Sequence, residues 1–459
     1  MGRCAEWPSG ARGSNALETL HRLFENAGLD DENLGSRKWN PIGACFGQNK
    51  SFVIKPNWVH HQNASGLGLD CLITHSSVIE AVIEYVALSK PKAIIVGDAP
   101  IQSCNFETLL RLSGLDEVFE RLQIRGIPVE YRDFRLSTRP DGVWSSNRPT
   151  ARSEMDYVRF NLGGASLLEP VSLKPSRFRV TMYDPRSLEQ THGQANHQYL
   201  IAREVIEADV VINLPKLKTH KKAGITGALK NLVGANGHKS YLPHHRKGST
   251  GDGGDCYERV DPLRSIAEEL LDRTNRSDAG LEKRLFGHAA GAVMKAGRIL
   301  SGSFDVEGSW HGNDTVWRMV LDLQKILHYG KADGTLADTP TREIMNITDA
   351  IVGGQGDGPL SPEPAPFGFL SFGRNAAACD WVHTKLMGLD PDRIPLTREA
   401  FGSKSARLTN FAPNQIRVQT DQQTVSVDEA ARSFGYRVKT PAGWRGHCES
   451  SIEMEQLAC

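Results

Sequence analysis

The chain lacks most of the signatures by which a function is read from sequence. Its 54 Lys+Arg are balanced by 54 Asp+Glu, so the whole molecule has no charge to draw it to nucleic acid, and any basic site must be local. No apolar run approaches the roughly 18 residues that a spanning helix needs. The first 15 residues carry no apolar stretch of the secretory kind, and Glu6 stands where myristoylation at Gly2 would want Ser or Thr. Cysteines at 4, 45, 71, 104, 256, 379, 448 and 459 form no Cys-x-x-Cys pair, so neither a zinc ribbon nor an iron–sulfur cluster is expected. Scattered thiols of this kind suit a reduced, cytoplasmic protein. No histidine pair has the helical zinc spacing with its glutamate, no Gly-x-Ser-x-Gly elbow occurs, and the Gly-rich loop at 353–358 is neither a P-loop nor a dinucleotide fingerprint.

What is present is an ordinary globular composition, 39% apolar and 24% charged over 459 residues, enough for one large α/β domain with additions or for two domains. Short all-apolar runs such as Phe52–Ile54, Ala93–Val96 and Val210–Leu214 alternate with helical patterns. That alternation predicts a mostly parallel sheet with helices on both faces, plus a smaller C-terminal α/β part. The expected organisation is an N-terminal extension over 1–49, a main α/β domain over 50–275, an amphipathic helical insertion over 276–312, a second α/β part over 313–403 and a polar, weakly patterned tail over 404–459. Within these, a helix is expected over Tyr199–Glu207. The insertion carries Lys283, Arg284, Lys295 and Arg298 among large apolar residues, a pattern open to membrane binding, although three internal glycines favour a packed peripheral helix.

One stretch, from Ala208 to Gly234, organises the rest. Pro215 ends the apolar strand, and Lys216, Lys218 and His220 follow at every second residue, on one side of an extended chain. Gly224, Thr226 and Gly227 lead into a short helix, with Thr226 as its expected cap and Gly234 as its stop. A helix start beside four lysines is suited to an anion. Lys55/Asn57, Asp98, the Lys/His stretch and Asp349/Asp357 all lie at or just after strand ends, where open α/β sheets bind ligands.

The expected function is therefore an enzyme acting on a carboxylate- or phosphate-bearing small molecule. Lys55, Asn57, Lys216, Lys218, Thr226 and Asn231 would bind it. His220 would be the general acid/base with Lys230 and Asp98, and Asp98 or Asp349 would orient it. A divalent metal is the candidate cofactor, held by His220 with His244 or His245. The alternative is a non-catalytic binding or assembly protein for a nucleotide or phosphorylated saccharide. Both readings of Lys230, as a cofactor or carboxylate partner, require its ammonium and the His220 ring on one pocket wall, with Lys55 or Asp98 across from them.

Phe52-Val-Ile-Lys-Pro-Asn57, Thr74-His75, Gly97-Asp98-Ala-Pro100, the run Asp209 to His220, Thr226-Gly-Ala-Leu-Lys-Asn-Leu-Val-Gly234 and Asp349-Ala-Ile with Gly356-Asp-Gly-Pro359 together resemble the family catalogued as domain of unknown function 362. The resemblance covers roughly residues 50 to 400 and implies no activity. Many members carry a Cys-rich, ferredoxin-like segment, from which this chain departs. More distantly, His220-x-x-Ala223-Gly224-x-Thr226-Gly227-x-x-Lys230 resembles the nickel-pincer lactate racemase family. That resemblance implies a lysine at Lys230 holding a pyridinium-derived cofactor, with His220 in the same site and His244 or His245 as the downstream histidine. Ala228 stands where that family has glycine.

Overall fold

Val210, Ile212 and Leu214 point into one core and Val211 into another, which is the period-2 alternation of a strand buried on both faces. The computed structural model describes residues 2–3, 14–139, 147–277, 280–301, 304–402 and 408–454; Cys4, Glu6 and Cys459 fall outside them. The main sheet contains β1 Ser51–Pro56, β2 Ala93–Asp98, β3 Val129–Asp133, β4 Val210–Leu214, β5 Lys216–His220, β6 Gly224–Thr226, β7 Glu343–Asp357, β8 Ser361–Ala365 and β9 Phe369–Gly373. Its spine has the order β9-β7-β4-β1-β2-β3. All neighbours from β7 to β3 are parallel, and β9 and β8 are antiparallel to β7.

The helices used below are α1 Ser14–Asn26, α2 Ser76–Leu88, α3 Phe106–Ser113, α4 Leu115–Ile124, α5 Ala228–Asn231, α6 Pro262–Arg276, α7 Gly280–Ser301, α8 Val316–Tyr329 and α9 Ala376–Leu386. Apolar stripes of α1 to α4 cover one face of the sheet. Those of α8 and α9 cover the other. The fold is thus the expected α/β layering, with the carboxyl ends of β1, β2 and β4 at one edge.

Several local expectations are corrected. Tyr199 lies in a strand, Asn196–Ala202, and only Arg203–Glu207 is helical; pairing with Tyr157–Asn161 overrides the helical pattern. The glycines from 353 to 356 continue β7 rather than forming a loop, because β8 pairs along them. The tail is not featureless. It contains the hairpin Arg417–Gln419/Thr424–Ser426 and the helix Val427–Phe434, and Val427, Ala430 and Trp444 join the main core.

Candidate functional site

β4 delivers the chain to Pro215, and β5 then runs beside β7 with a register shift between Lys216 and Lys218. This placement decides the fate of both lysines. Lys216 Nζ lies 2.5 Å from Asp349 and donates to Val352 O at 3.2 Å, with both charged groups buried. Lys218 Nζ donates to Leu72 O, and burial, followed by the charge of Lys216, drives its amine well below the usual lysine range. Neither lysine lines the cavity described below. The expectation that they bind substrate is corrected: they are sealed under the site.

α5 is too short to offer a free N-terminus, and its start is already satisfied. Asp380 of α9 accepts from Ala228 N at 2.6 Å and Leu229 N at 2.9 Å. Gly227, not Thr226, is the capping position, and a Cβ there would lie 2.1 Å from Asp380 Oδ1. Gly234 does not stop a helix; the chain continues as a 3-10 turn over Leu232–Ala235. Its role is close approach, since a Cβ would lie 1.8 Å from Asp98 Oδ1. The short helix is thus pressed between two carboxylates, and both glycines exist to admit them.

Behind this helix runs a relay of amides. Asn57 Nδ2 donates to Asn231 Oδ1 at 2.9 Å, Asn231 Nδ2 to Asn213 Oδ1 at 2.7 Å, Asn213 Nδ2 to Asn346 Oδ1 at 2.8 Å, and Asn346 Nδ2 to Gly373 O at 3.1 Å. The head-to-tail order ties the site segment across β1, β4, β7 and β9, and each bond polarises the next. Asn231, expected to bind substrate, is a link in this relay and does not line the cavity. Asp98 is likewise occupied. It pairs with Lys55 at 2.8 Å and accepts from Trp58 N and Ala99 N, so it does not orient His220. Asp349 is held by Lys216, His75 N and Ile351 N, and is not near that role either.

A cavity of about 880 Å³ opens at this edge. It is lined by Lys55, Asn57, Asp98, His220, Thr226 and Lys230, and also by Lys221, Lys222, Lys239, His244, Arg139 and Glu307. His220 and Lys230 therefore line one cavity together with Lys55 and Asp98. Six cationic side chains face two carboxylates, and Asp98 is already spent on Lys55. Lys222 sits 4.0 Å from Glu307. No ion pair or hydrogen bond engages the ammonium groups of Lys230 and Lys239 among the described residues. Burial, then the neighbouring Lys239, Lys222 and Lys55, pull Lys230 down to about 7. Burial above all pulls Lys239 down to about 8. Three buried polar atoms of the lining, Asn57 Oδ1, Trp58 Nε1 and Thr226 Oγ1, have no partner among the described residues, whereas most buried polar atoms are hydrogen-bonded.

Two of the four histidines that line the cavity, His220 and His244, are locked in opposite tautomers. His220 Nδ1 accepts backbone N–H groups from Lys222 at 3.0 Å and Ala223 at 3.2 Å. In the neutral ring the proton must then sit on Nε2. His244 Nδ1 lies 2.7 Å from Leu242 O, which can only accept, so Nδ1 carries the proton and Nε2 keeps its lone pair. Burial first, then nearby Lys230, His244, Lys222 and Lys218, push His220 far below the usual imidazole range. Burial, Lys230 and Lys222 do the same to His244. Both rings are neutral at physiological pH.

This chemistry corrects the metal expectation. A metal on His220 Nε2 would need Nδ1 protonated, and two amide N–H groups already point at Nδ1. His245 lines a separate small cavity, with Nδ1 3.5 Å from Lys222 Nζ. Among the described residues no three His, Cys, Asp or Glu side chains are grouped to hold a metal ion. The donors do not fit a metal held through His220, and the nickel-pincer arrangement implied by the distant resemblance does not fit on the same ground.

Asp380, Asn213, Asn346 and Lys239 were not singled out from sequence. An asparagine inside an apolar strand run, as in Val-Val-Ile-Asn213 and Met-Asn346-Ile, is the signal that could have found two of them, because a buried amide must be hydrogen-bonded.

The family model described as Domain of unknown function (DUF362) matches residues 52–158 and 165–385, more than half of the chain. A thylakoid-associated protein of Synechocystis sp. is 23% identical over 238 residues, covering 52% of this chain and 49% of that protein. The chain thus spans about half the length of this curated relative. A crystal structure of a Thermotoga maritima protein from the Northeast Structural Genomics Consortium aligns over 76% of this chain and 54% of its own, at 10% identity and a TM-score of 0.32; at that score the likeness carries no argument. No helix among the described residues is long and apolar enough to cross a membrane.

Proposed function

The chain belongs to the DUF362 family, a membership that names no reaction, and from its site we propose that it is an enzyme moving a proton on a small molecule that bears a carboxylate or phosphate. The observation that carries the reading is the opposed tautomer lock of His220 and His244 in one cationic cavity. A neutral imidazole with a free Nε2 lone pair is a base. A neutral imidazole with Nε2–H is a hydrogen-bond donor to an oxygen that gains charge. His244 takes the proton and His220 steadies the developing oxyanion, a division suited to abstraction beside a carbonyl. Lys230 and Lys239, having no carboxylate of their own among the described residues, hold the anionic group. Thr226 Oγ1 and Asn57 Oδ1 bind its polar remainder. Arg139 is excluded from that task, because it donates to Asn147 Oδ1 at 2.6 Å and stacks on Tyr183.

The test is solvent-deuterium incorporation. The protein is incubated in D2O with a panel of phosphorylated and carboxylated aldehydes, ketones and hydroxy acids, and carbon-bound deuterium is read by NMR and mass spectrometry. One class should exchange, and His244→Gln should abolish the exchange while leaving ligand-induced thermal stabilisation in place. Stabilisation without exchange in the wild-type protein would instead make this a binding protein.

A further inference from the structure

α7 packs by one face only. Val293 and Met294 lie against Ala267 and Leu271 of α6 and against Phe304, and Gly287, Ala290 and Gly297 are buried. The opposite face is apolar and uncovered. Leu281 is 84% exposed, Leu285 65%, Ile299 76% and Leu300 75%. Positions 281, 285, 292, 296 and 299 fall on one stripe at helical spacing, so Ala292 and Ala296 continue the ridge between the leucines and Ile299. Four large aliphatic side chains at this exposure on one helix exceed the scattered singles of an ordinary surface.

The charge beside this stripe has one sign. From Lys283 to Ser301 the helix has no acidic residue. Arg284, His288 and Lys295 flank the stripe on one side, and Arg298 lies beyond them. Glu282, the helix's one acid, accepts from Ser277 at its first turn. The acids of the neighbouring α6 are engaged elsewhere: Asp272 by Arg179 and Lys247, Glu269 by Lys247 and Arg273, and Glu268 by Gly248 N and the Tyr257 hydroxyl.

We propose that the outer face of α7 docks the protein onto a membrane surface containing anionic lipid, with Leu281, Leu285, Ile299 and Leu300 entering the acyl boundary and Arg284, Lys295 and Arg298 meeting the headgroups. An apolar ridge with a basic flank is what an interfacial helix presents to such a surface. A second copy of this chain is a poorer occupant, because a two-fold contact would set the same basic flank against itself. The attachment is peripheral and independent of the cavity.

Full-length protein is sedimented with phosphatidylcholine vesicles with and without phosphatidylglycerol. Binding is expected only with the anionic lipid, and it should weaken as salt is raised. Leu285→Glu with Ile299→Glu should abolish it. Arg284→Gln with Lys295→Gln, at exposed positions that leave folding untouched, should weaken it about 25-fold, at about fivefold per charge. Equal binding to both vesicles, or none to either, overturns the proposal. So does a dimer in sedimentation velocity that Leu285→Glu dissociates, which would give the face to a second copy.

Discussion

Two pairs of lysines in one region of the chain meet opposite fates. Lys216 and Lys218 lie on β5 and are roofed over, one by a carboxylate and one by a carbonyl. Lys230 and Lys239 lie beyond it and face a cavity, with no partner among the described residues. The difference is one of scaffold. A strand inserted beside β7 brings each side chain against the neighbouring strand and the turn above it, so its charges are neutralised by the fold. A short helix and a loop at the sheet edge have no such neighbour on their open side. Buried pairs hold structure together, whereas the unspent cations are the groups that the proposed anion would meet.

Substitution separates the two pairs of lysines. The largest effect is expected at Lys216→Met, which leaves Asp349 buried without its counter-charge; urea denaturation should show a loss of about 3–5 kcal/mol. A loss under about 1 kcal/mol would mean that Lys216 is not the sealed member of the pair. Next in size is His220→Phe, which removes the proposed oxyanion donor and should cut turnover by about 10²-fold or more. His220→Gln keeps an amide donor and should cost less, a ranking to be read from kcat at unchanged thermal stability.

Lys230→Met works in the opposite direction on stability. The folded protein holds this lysine at about 7, against an ordinary value near 10.4 in the unfolded chain. Between those values the unfolded chain binds the extra proton, so wild-type stability rises with pH across that window. Lys230→Met should therefore raise the melting temperature by a few degrees near neutral pH and flatten that rise. It should also abolish stabilisation by an anionic ligand. In the wild type, anion affinity should fall as pH climbs through the values near 7 and 8 of Lys230 and Lys239; calorimetric titration across that range checks it, and a flat profile would remove both lysines from the site. The smallest effect belongs to Lys218→Met, a volume-conserving exchange of a buried amine already driven towards neutrality, expected to stay within about 1 kcal/mol.

The layered sheet was legible because burial on both faces leaves all-apolar runs, and the edge of the site because polar residues follow those runs. His220, Lys230, Lys55 and Asp98 do meet in one cavity. What stayed hidden was which charges are spent. Lys216 and Lys230 look alike in the sequence, and only pairing across 133 residues to Asp349 separates them. The tautomers were hidden for a similar reason, since they depend on the backbone path after each histidine. A helix cap supplied by Asp380, 152 residues from Ala228, leaves no local trace at all.

That remoteness fixes when the site exists. The chain leaves the ribosome from its N-terminus, and the segment with His220 and Lys230 is made well ahead of Asp380. Yet the cap on that segment waits for Asp380, and Trp444, which donates to Lys221 O at 2.8 Å from 223 residues away, closes the backbone beside His220 later still. A nascent or truncated chain ending before this point exposes the cationic segment without its cap or its closing tryptophan. The cavity therefore acquires its final shape only once Trp444 is in place, long after the residues that line it.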